Sequence, residues 1–243
     1  CFPTGDRTLA AETKAVGKGT VDITWLGHGS FLFTSVKGRK ILIDPWFRTN
    51  PSVPERYQSV ESFGGVDLIL WTHGHVDHFM LPDAESLIAR YNPKVVAPWE
   101  LSFFIKSQIP EAACQTFVLG NKGATADFDG IKITMTEAFH SAGAQLTGFE
   151  GVNKFVGEAA GYILEFENGF KIYHAGDTDR IPEMDGLNAD LALIPVGGTY
   201  TMDARDAALA AEDIKAGVTI PIHFGDIVGT REDAEGFARS CSR

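Results

Sequence analysis

The feature that most constrains this chain is a run of nine residues, Trp-Thr-His-Gly-His-Val-Asp-His-Phe, at positions 71–79. It places three histidines and one carboxylate within six positions, directly after the apolar segment 68–71, which is typical of a buried strand. Functional sites of α/β folds commonly form on loops at the carboxyl ends of strands. Imidazole and carboxylate groups together suit Zn²⁺, Mn²⁺ or iron. A polar loop with ordinary hydrogen bonds rarely shows this pattern, so we predict a metal site here.

Spacing within this run directs the ligand-type side chains to two neighbouring places. His73 and His75 project to the same side of an extended loop, because side chains two positions apart share a face. Asp77 and His78 follow where the chain turns into the next helix, and there they can swing to an adjacent position. A mononuclear site needs three or four ligands, and this stretch alone offers four.

Three more ligand-type residues follow at the ends of later predicted strands. They are His140, Asp177 and His223. Taken one at a time, each has an ordinary interpretation as a loop histidine or a turn aspartate. Their shared placement at strand ends instead favours one common site.

Composition narrows the choice of partners. The 243 residues carry 21 basic and 32 acidic side chains, a formal net charge of −11 with histidine neutral. Long nucleic acids are bound through basic surfaces, so we expect no nucleic-acid partner. No apolar run reaches the ~18 residues of a membrane-spanning helix, so no transmembrane segment is predicted. The three cysteines cannot build a disulfide framework, and they lie far in sequence from any group that would activate a thiol nucleophile.

The chain is long enough for one substantial α/β core. We expect residues 1–19, which are small and polar, to form a loose leader and residues 20–243 to form a single domain. Cysteine usage predicts a reducing compartment and hence a cytoplasmic location. An exported or lipid-anchored form attached through Cys1 is left open, as is a trimmed end.

Strand-like and helix-like segments alternate from Val21 onward. Hairpin strands come first, then mixed strand–helix units, and this order then repeats, which predicts two similar halves packed sheet on sheet with helices outside. The predicted strands cover 21–26, 31–36, 40–44, 67–72, 94–97, 116–119, 131–137, 161–166, 171–174, 190–195 and 218–222. The predicted helices cover 82–91, 98–107, 204–216 and 231–240, with Asp203 placed to cap the third.

Two long segments, 45–65 and 141–160, show no regular pattern and contain aromatic residues. Long irregular loops in compact domains are usually functional or mobile. The aromatic side chains are expected either to pack as local small cores or to line a substrate pocket. They are Trp46, Phe47 and Tyr57 in the first segment and Phe149 and Phe155 in the second.

Three further stretches complete a resemblance to a known family. They read Thr-Trp-Leu-Gly-His-Gly-Ser from position 24, Tyr-His-Ala-Gly-Asp-Thr from position 173 and Pro-Val-Gly-Gly-Thr-Tyr-Thr-Met from position 195. Together with the histidines and aspartates above, the chain from about residue 20 to its end resembles the metallo-β-lactamase fold superfamily. The three stretches resemble its ascorbate-6-phosphate lactonase-like group of metal-dependent hydrolases. The resemblance implies an α/β (α+β) fold, the four-layer αββα sandwich of the metallo-β-lactamase type.

The resemblance also implies a site with two divalent metal ions, Zn or Mn, with Fe left open. The implied ligands are His73, His75 and His140 for one ion, Asp77, His78 and His223 for the second, and Asp177 as the bridge. Two such ions share a hydroxide that attacks a carbonyl or phosphoryl centre. Asp77 is expected, besides ligating, to accept a hydrogen bond from this hydroxide and to orient it.

The expected function is therefore that of an enzyme, a dinuclear metal-dependent hydrolase acting on a small-molecule ester, lactone or phosphoester. A phosphodiesterase for a small-molecule or phospholipid-type substrate is the alternative. A β-lactamase and a non-catalytic metal-binding protein rank lower, since fold alone does not give the substrate. An anionic substrate and a homo-oligomer are left open.

Four other residues are candidates near the site. Asp44 is expected either to hold a ligand imidazole or to form the turn before Pro45. His28, in a Gly-His-Gly-Ser turn, is a catalytic candidate that binds an anionic group or protonates a leaving group, and a turn histidine bonded to backbone is the alternative. Tyr200 or the N–H groups of its turn are candidates for stabilising an oxyanion. His174 is expected to have a buried structural or supporting role.

Overall fold

A computed structural model describes residues 8–9, 19–114, 116–119, 121–145, 153–225 and 227–241. Two positions discussed above, Cys1 and Phe149, lie outside these residues. Of the expected leader 1–19, the structure describes Gly19 and a two-residue strand. In the described part of the chain, no helix is long and apolar enough to cross a membrane.

The first half of the chain forms a seven-stranded sheet whose strands stand side by side in sequence order. Its first three pairings are antiparallel and its last three are parallel. The strands are β1 (Thr8–Leu9), β2 (Asp22–Trp25), β3 (Phe31–Thr34), β4 (Lys40–Ile43), β5 (Leu68–Leu70), β6 (Lys94–Ala97) and β7 (Thr116–Val118).

The second half repeats this plan in a six-stranded sheet, where three antiparallel pairings are again followed by parallel ones. A separate two-stranded hairpin interrupts it in sequence. The strands of this sheet are β8 (Thr125–Phe128), β9 (Ile131–Glu137), β12 (Ala160–Glu165), β13 (Lys171–His174), β14 (Leu191–Pro195) and β15 (Val218–Ile222). The hairpin consists of β10 (Gly143–Gln145) and β11 (Asn153–Phe155). The predicted division into two similar halves is confirmed.

Four α-helices lie close to their predicted positions: α1 (Leu81–Tyr91), α2 (Trp99–Gln108), α3 (Ala204–Ile214) and α4 (Arg231–Cys241). Asp203 caps α3 as predicted, since its carboxylate accepts hydrogen bonds from the backbone N–H groups of Arg205 and Asp206. The helix ends two residues before the predicted end because Lys215 adopts a left-handed conformation with φ of 56°.

Three hydrophobic cores define four layers. The central core lies between the two sheets and joins side chains such as Phe33, Ile41, Leu70, Ile133, Leu164 and Leu193. The outer core of the first sheet contains residues of α1 and α2, and that of the second sheet contains residues of α3 and α4. Since strand side chains alternate between faces, each sheet contributes to the central core and to one outer core. The α/β fold is thus the predicted αββα sandwich.

Most aromatic residues of segment 45–65 belong to the outer core of the first sheet. Trp46 and Phe47 are buried, and Phe63 lies edge-on to Phe47 and stacks on Tyr57. Trp46 differs from the others, because it packs edge-on against His28. Phe155 differs, because 71% of its surface is exposed on β11.

Candidate metal centre

The seven ligand-type residues lie on loops at the ends of strands from both sheets. The run at positions 73–78 follows β5 and folds into a tight turn, in which the backbone N–H groups of His78 and Phe79 both donate to the carbonyl of His75. The other three residues come from separate loops of the second sheet, after β9, β13 and β15, and are His140, Asp177 and His223.

One group of potential ligands consists of His73, His75 and His140, whose nitrogen atoms lie within 4.8 Å of one another. His75 Nδ1 is 3.0 Å from His73 Nε2 and 3.2 Å from His140 Nε2. Three imidazoles that converge in this way form a common arrangement for zinc. The structure therefore brings together a histidine from the second half with two from the first.

A second group consists of Asp77, His78 and His223, joined by His28. Asp77 Oδ2 lies 3.7 Å from His223 Nε2 and 4.0 Å from His78 Nε2. His28 Nε2 is closer, at 3.0 Å from the same oxygen. The ring of His28 is thus part of the cluster.

Asp177 lies between the two groups. Its Oδ2 is 2.9 Å from His223 Nε2 and 3.6 Å from His140 Nε2, so one oxygen reaches a histidine of each group. Its Oδ1 is 3.3 Å from His78 Nε2. A single carboxylate in this position lies within reach of both groups of potential ligands.

Three potential ligand atoms of the cluster are buried and, although they face one another, form no hydrogen bond of ordinary geometry within the described residues. They are His78 Nε2, His223 Nε2 and Asp177 Oδ1. Buried polar atoms are normally paired, and an unpaired one calls for an explanation such as a bound ion. Imidazole nitrogens and carboxylate oxygens directed at one another suit a divalent metal. The residues present therefore fit such ions.

The charges of the site are matched to this chemistry. Burial raises the pKa of the Asp177 carboxyl, but the neighbouring His223 and His78 outweigh it and hold the pKa well below the usual range. Burial and neighbouring imidazoles lower the pKa of His73. Burial also lowers the pKa of His140. At neutral pH the first group thus presents neutral imidazoles, which are the ligand form that a metal needs. In the second group burial lowers the pKa of His223, but Asp177 outweighs it and raises the pKa to about 9, and the pKa of His78 is likewise raised. A metal that binds there would displace these protons.

Asp44 supports the ligands from behind. Its Oδ1 accepts the backbone N–H of Thr72 at 2.7 Å, and its Oδ2 accepts Nδ1–H of His78 at 2.8 Å and the Thr72 hydroxyl at 2.6 Å. The predicted contact between Asp44 and a ligand imidazole is confirmed. Because this bond holds Nδ1, Nε2 of His78 is the atom that faces the cluster.

The sequence did not indicate a role for Thr72, whose hydroxyl links Asp44 to a second imidazole, that of His73. Since its hydroxyl hydrogen goes to Asp44, its oxygen accepts from Nδ1 of His73, 3.0 Å away. The contact depends on the parallel pairing of β4 with β5, which brings the end of one strand beside the end of the next. No motif marks it.

A short ladder joins the loops that carry two of the dispersed ligands. The backbone N–H of Phe139 donates to the Thr178 hydroxyl at 2.9 Å, and the N–H of Asp179 donates to the Phe139 carbonyl at 3.2 Å. These bonds flank His140 and Asp177 directly. These bonds thereby fix the distance between His140 and Asp177.

His174 and Tyr200 differ in their exposure to solvent. His174 is fully buried, and its ring bonds to the Gly29 carbonyl and the Gly176 N–H, in agreement with a structural role. Tyr200 is 63% exposed, in the short helix Gly198–Tyr200. Two N–H groups of that turn, on Gly197 and Gly198, already donate to Thr201 and Met202, so of the groups proposed for an oxyanion the Tyr200 hydroxyl is the stronger candidate.

Comparison with known proteins defines the class. Residues 22–223 match the family described as the beta-lactamase superfamily domain, so the chain belongs to this superfamily. A metal-dependent hydrolase of Rubrobacter xylanophilus is 40% identical over 228 residues, which are 91% of this chain and 90% of that protein. A metal-dependent hydrolase of Koribacter versatilis is 38% identical, over 90% of this chain and 92% of that protein.

Solved structures agree with this assignment. A metallo hydrolase of the archaeon Ignicoccus hospitalis superposes with a TM-score of 0.68 at 31% identity, covering 84% of this chain and 83% of that chain. The predicted membership of the metallo-β-lactamase superfamily is confirmed, and the chain is a metal-dependent hydrolase of that class.

Proposed function

We propose that the chain is a dinuclear hydrolase that acts on a small-molecule ester, lactone or phosphoester. The observation that carries this proposal is the position of Asp177, whose Oδ2 is 2.9 Å from His223 Nε2 and 3.6 Å from His140 Nε2. A carboxylate within reach of two separate ligand groups is what a site for two ions requires. Zn²⁺ and Mn²⁺ both suit these nitrogen and oxygen ligands, and Fe stays open.

In this proposal each group of side chains holds one ion. The first ion is held by His73, His75 and His140, the second by Asp77, His78 and His223, and both by Asp177. When bound, two divalent ions polarise a substrate carbonyl or phosphoryl oxygen and make water acidic enough to act as a nucleophile near neutral pH.

The chain's own residues would orient the reactants. Asp77 is the more accessible of the two cluster carboxylates, with 14% of its side chain exposed against 3% for Asp177. It is therefore the carboxylate that an attacking water reaches, and it would accept a hydrogen bond from that water. The exposed hydroxyl of Tyr200 would stabilise the developing negative charge on the substrate oxygen.

The substrate would be recognised by the ions more than by fixed charges. In the described residues, the ion-pair partners of Asp77 and Asp177 are all imidazoles. No lysine or arginine is among them, so an anionic substrate group would be drawn to the metals themselves. The ascorbate-6-phosphate lactonase-like group remains our choice of subfamily, on the strength of the three sequence stretches alone.

Location follows from composition. We place the protein in the cytoplasm, because three cysteines in 243 residues favour a reducing compartment.

An activity screen with defined metal content tests the function. Protein stripped with a chelator and reloaded with Zn²⁺ or Mn²⁺ is assayed with γ-lactones, p-nitrophenyl acetate and bis(p-nitrophenyl) phosphate, while its metal content is measured by mass spectrometry. We expect two ions per chain and turnover of the lactone or ester. Preference for the phosphodiester would favour the alternative activity, and two bound ions without any turnover would contradict the enzyme.

A single variant tests the role of Asp77. Asp77→Ala is expected to abolish hydrolysis while the circular dichroism spectrum stays that of the wild type. Full activity in this variant would exclude the proposed mechanism.

A further inference from the structure

The turn Gly27–Ser30 joins β2 to β3 of the first sheet and lies beside the metal cluster. Glycine is required before its histidine, and little room is left for a side chain after it. A Cβ on Gly27, whose φ is 93°, would lie 2.8 Å from the backbone carbon of Ser52, and one on Gly29 would lie 3.0 Å from Cε1 of His78. His28 itself has φ of 54°, a conformation that few residues other than glycine adopt. The turn therefore presents one side chain to the cluster, and its backbone leaves no room for another.

The backbone of this turn is fixed from both sides. The His28 carbonyl accepts Nε1–H of Trp25 at 3.0 Å from the first sheet and the backbone N–H of His223 at 3.3 Å from the second. The carbonyl of Gly29 accepts Nε2–H of His174 at 2.8 Å. Three bonds from two sheets thus determine where the His28 ring stands.

The ring is enclosed as tightly as the backbone. His28 has no exposed surface. Its ring centroid is 3.9 Å from that of His223, and Trp46 packs edge-on against it at 5.4 Å. Its Nε2 is 3.0 Å from Asp77 Oδ2. An ionised carboxylate only accepts hydrogen bonds, so Nε2 carries the hydrogen and donates it.

Asp77 depends on this bond. The other ring nitrogens near its Oδ2 belong to His223 at 3.7 Å and His78 at 4.0 Å, which is beyond hydrogen-bond distance. Asp77 stands on a loop and is partly exposed, so its carboxylate would otherwise have several rotamers. The short contact to a fully enclosed ring selects one of them.

We propose that His28 is a positioning residue that holds the Asp77 carboxylate toward the second metal group by donating a hydrogen bond from Nε2. The inference rests on the proposed dinuclear function of the cluster. It assigns His28 neither as a metal ligand, because the hydrogen on Nε2 occupies the lone-pair position, nor as the acid that protonates a leaving group, because the ring is enclosed and its hydrogen is engaged.

The experiment measures metal affinity rather than turnover alone. Co²⁺ is titrated into chelator-treated wild type, His28→Ala and His28→Gln, with a competing chelator setting the free ion concentration and the visible absorption of Co²⁺ reporting the ligand geometry. In His28→Ala we expect the second ion to bind about 10- to 100-fold more weakly, the range for residues that orient ligands, and the first ion to bind as in the wild type. In His28→Gln the side-chain amide donates in place of the ring and restores most of the affinity.

Two controls separate the ring from the turn that carries it. Trp25→Phe removes one of the three bonds that hold the turn but keeps the His28 ring and the aromatic contact with Phe224, so it should weaken the second ion less than His28→Ala does. In an Asp77→Asn background, His28→Ala should weaken the second ion no further, because its effect passes through Asp77.

The outcomes distinguish this inference from the function on which it rests. A wild-type protein that binds fewer than two ions would overturn both. Two ions in the wild type, with unchanged affinity in His28→Ala, would overturn the role of His28 alone. The same holds if His28→Gln is as defective as His28→Ala with a changed Co²⁺ spectrum, since His28 would then be a ligand, or if Trp25→Phe, which keeps the ring, loses as much affinity as His28→Ala.

Discussion

The two halves of the molecule build the same metal centre in different ways. The first half contributes four ligand-type residues from a single loop of six residues, His73 to His78, after one strand. The second half contributes His140, Asp177 and His223 from three loops after three strands. The first set is positioned by local turn geometry, whereas the second exists as a set only after the sheet has formed. Each group of ligands nevertheless draws on both halves, so neither half binds a metal in the proposed way alone.

The largest effect should follow the loss of the residue that both groups share. Asp177→Ala is expected to lower kcat/KM by more than about 100-fold, the upper range for supporting residues, because it removes a ligand from both ions. Metal content, measured by mass spectrometry after gel filtration, should fall below one ion per chain. Retention of two ions would show that Asp177 is not the bridge. Asp179→Ala, an exchange on the same loop outside the cluster, is the control.

The next comparison removes one dispersed ligand from each group. His140→Ala should leave one ion, held by Asp77, His78 and His223, and His223→Ala should leave one ion, held by His73, His75 and His140. Metal analysis of the two variants should give one ion each. Both variants losing both ions would mean that the two groups act as a single unit rather than as two.

Removing Asp44, which holds the ligand loop of the first half, should have a smaller effect on metal binding. Asp44→Ala removes the acceptor of His78 Nδ1 and of Thr72, and we expect a loss of metal affinity of about 10- to 100-fold. Asp44→Asn, which keeps one carbonyl oxygen, should lose less. Chelator competition measures both variants, and equal affinity in the wild type and Asp44→Ala would contradict the supporting role.

Thr72→Val should have a weaker effect than Asp44→Ala. It keeps the side-chain shape but removes the hydroxyl that links Asp44 to His73, while the backbone bond of Thr72 to Asp44 persists. A loss of affinity of about tenfold, the lower end for supporting residues, is expected for the first ion. Thr72→Ser keeps the hydroxyl and should behave as the wild type. If serine and valine variants are equally impaired, packing rather than the hydroxyl is responsible.

The smallest effect concerns Tyr200, which lies outside the ligand set. Tyr200→Phe should leave both ions bound and reduce kcat by about tenfold, less than the ~10²- to 10³-fold of a preorganised oxyanion donor, because this hydroxyl is exposed. Steady-state kinetics with the best substrate of the screen measures it. Unchanged kcat and KM would exclude any role for Tyr200 in the reaction.

The same contrast between the halves explains what the sequence could and could not predict. The loop 73–78 was recognisable because its ligands are neighbours in sequence, and the dispersed ones because each follows a strand. The contacts of Thr72 with Asp44 and His73 could not be recognised from the sequence, because they depend on which strands lie side by side. The contact of His28 with Asp77 joins two loops of the first sheet that are 49 positions apart, and no spacing rule reaches that far.

Errors in the fold have local causes. Strand β8, with Ala126 and Asp127, has little of the β-branched and aromatic character on which strand prediction depends. The sequence feature that indicates β8 is the Asp129-Gly130 pair after it. Both residues have positive φ, as a tight hairpin requires. The hairpin of β10 and β11 is too short to show a pattern. The predicted helix 204–216 extended beyond the observed end of α3 because lysine at position 215 does not indicate a left-handed cap.

The ladder between Phe139 and the residues after Asp177 separates two tasks of the second half. It ties the backbone beside one ligand to the backbone beside another before the chain enters the hairpin of β10 and β11. Changes of length or sequence in that hairpin are therefore mechanically insulated from the distance between His140 and Asp177. A protein built in this way can change the sequence of this hairpin while the spacing of its metal ligands stays constant.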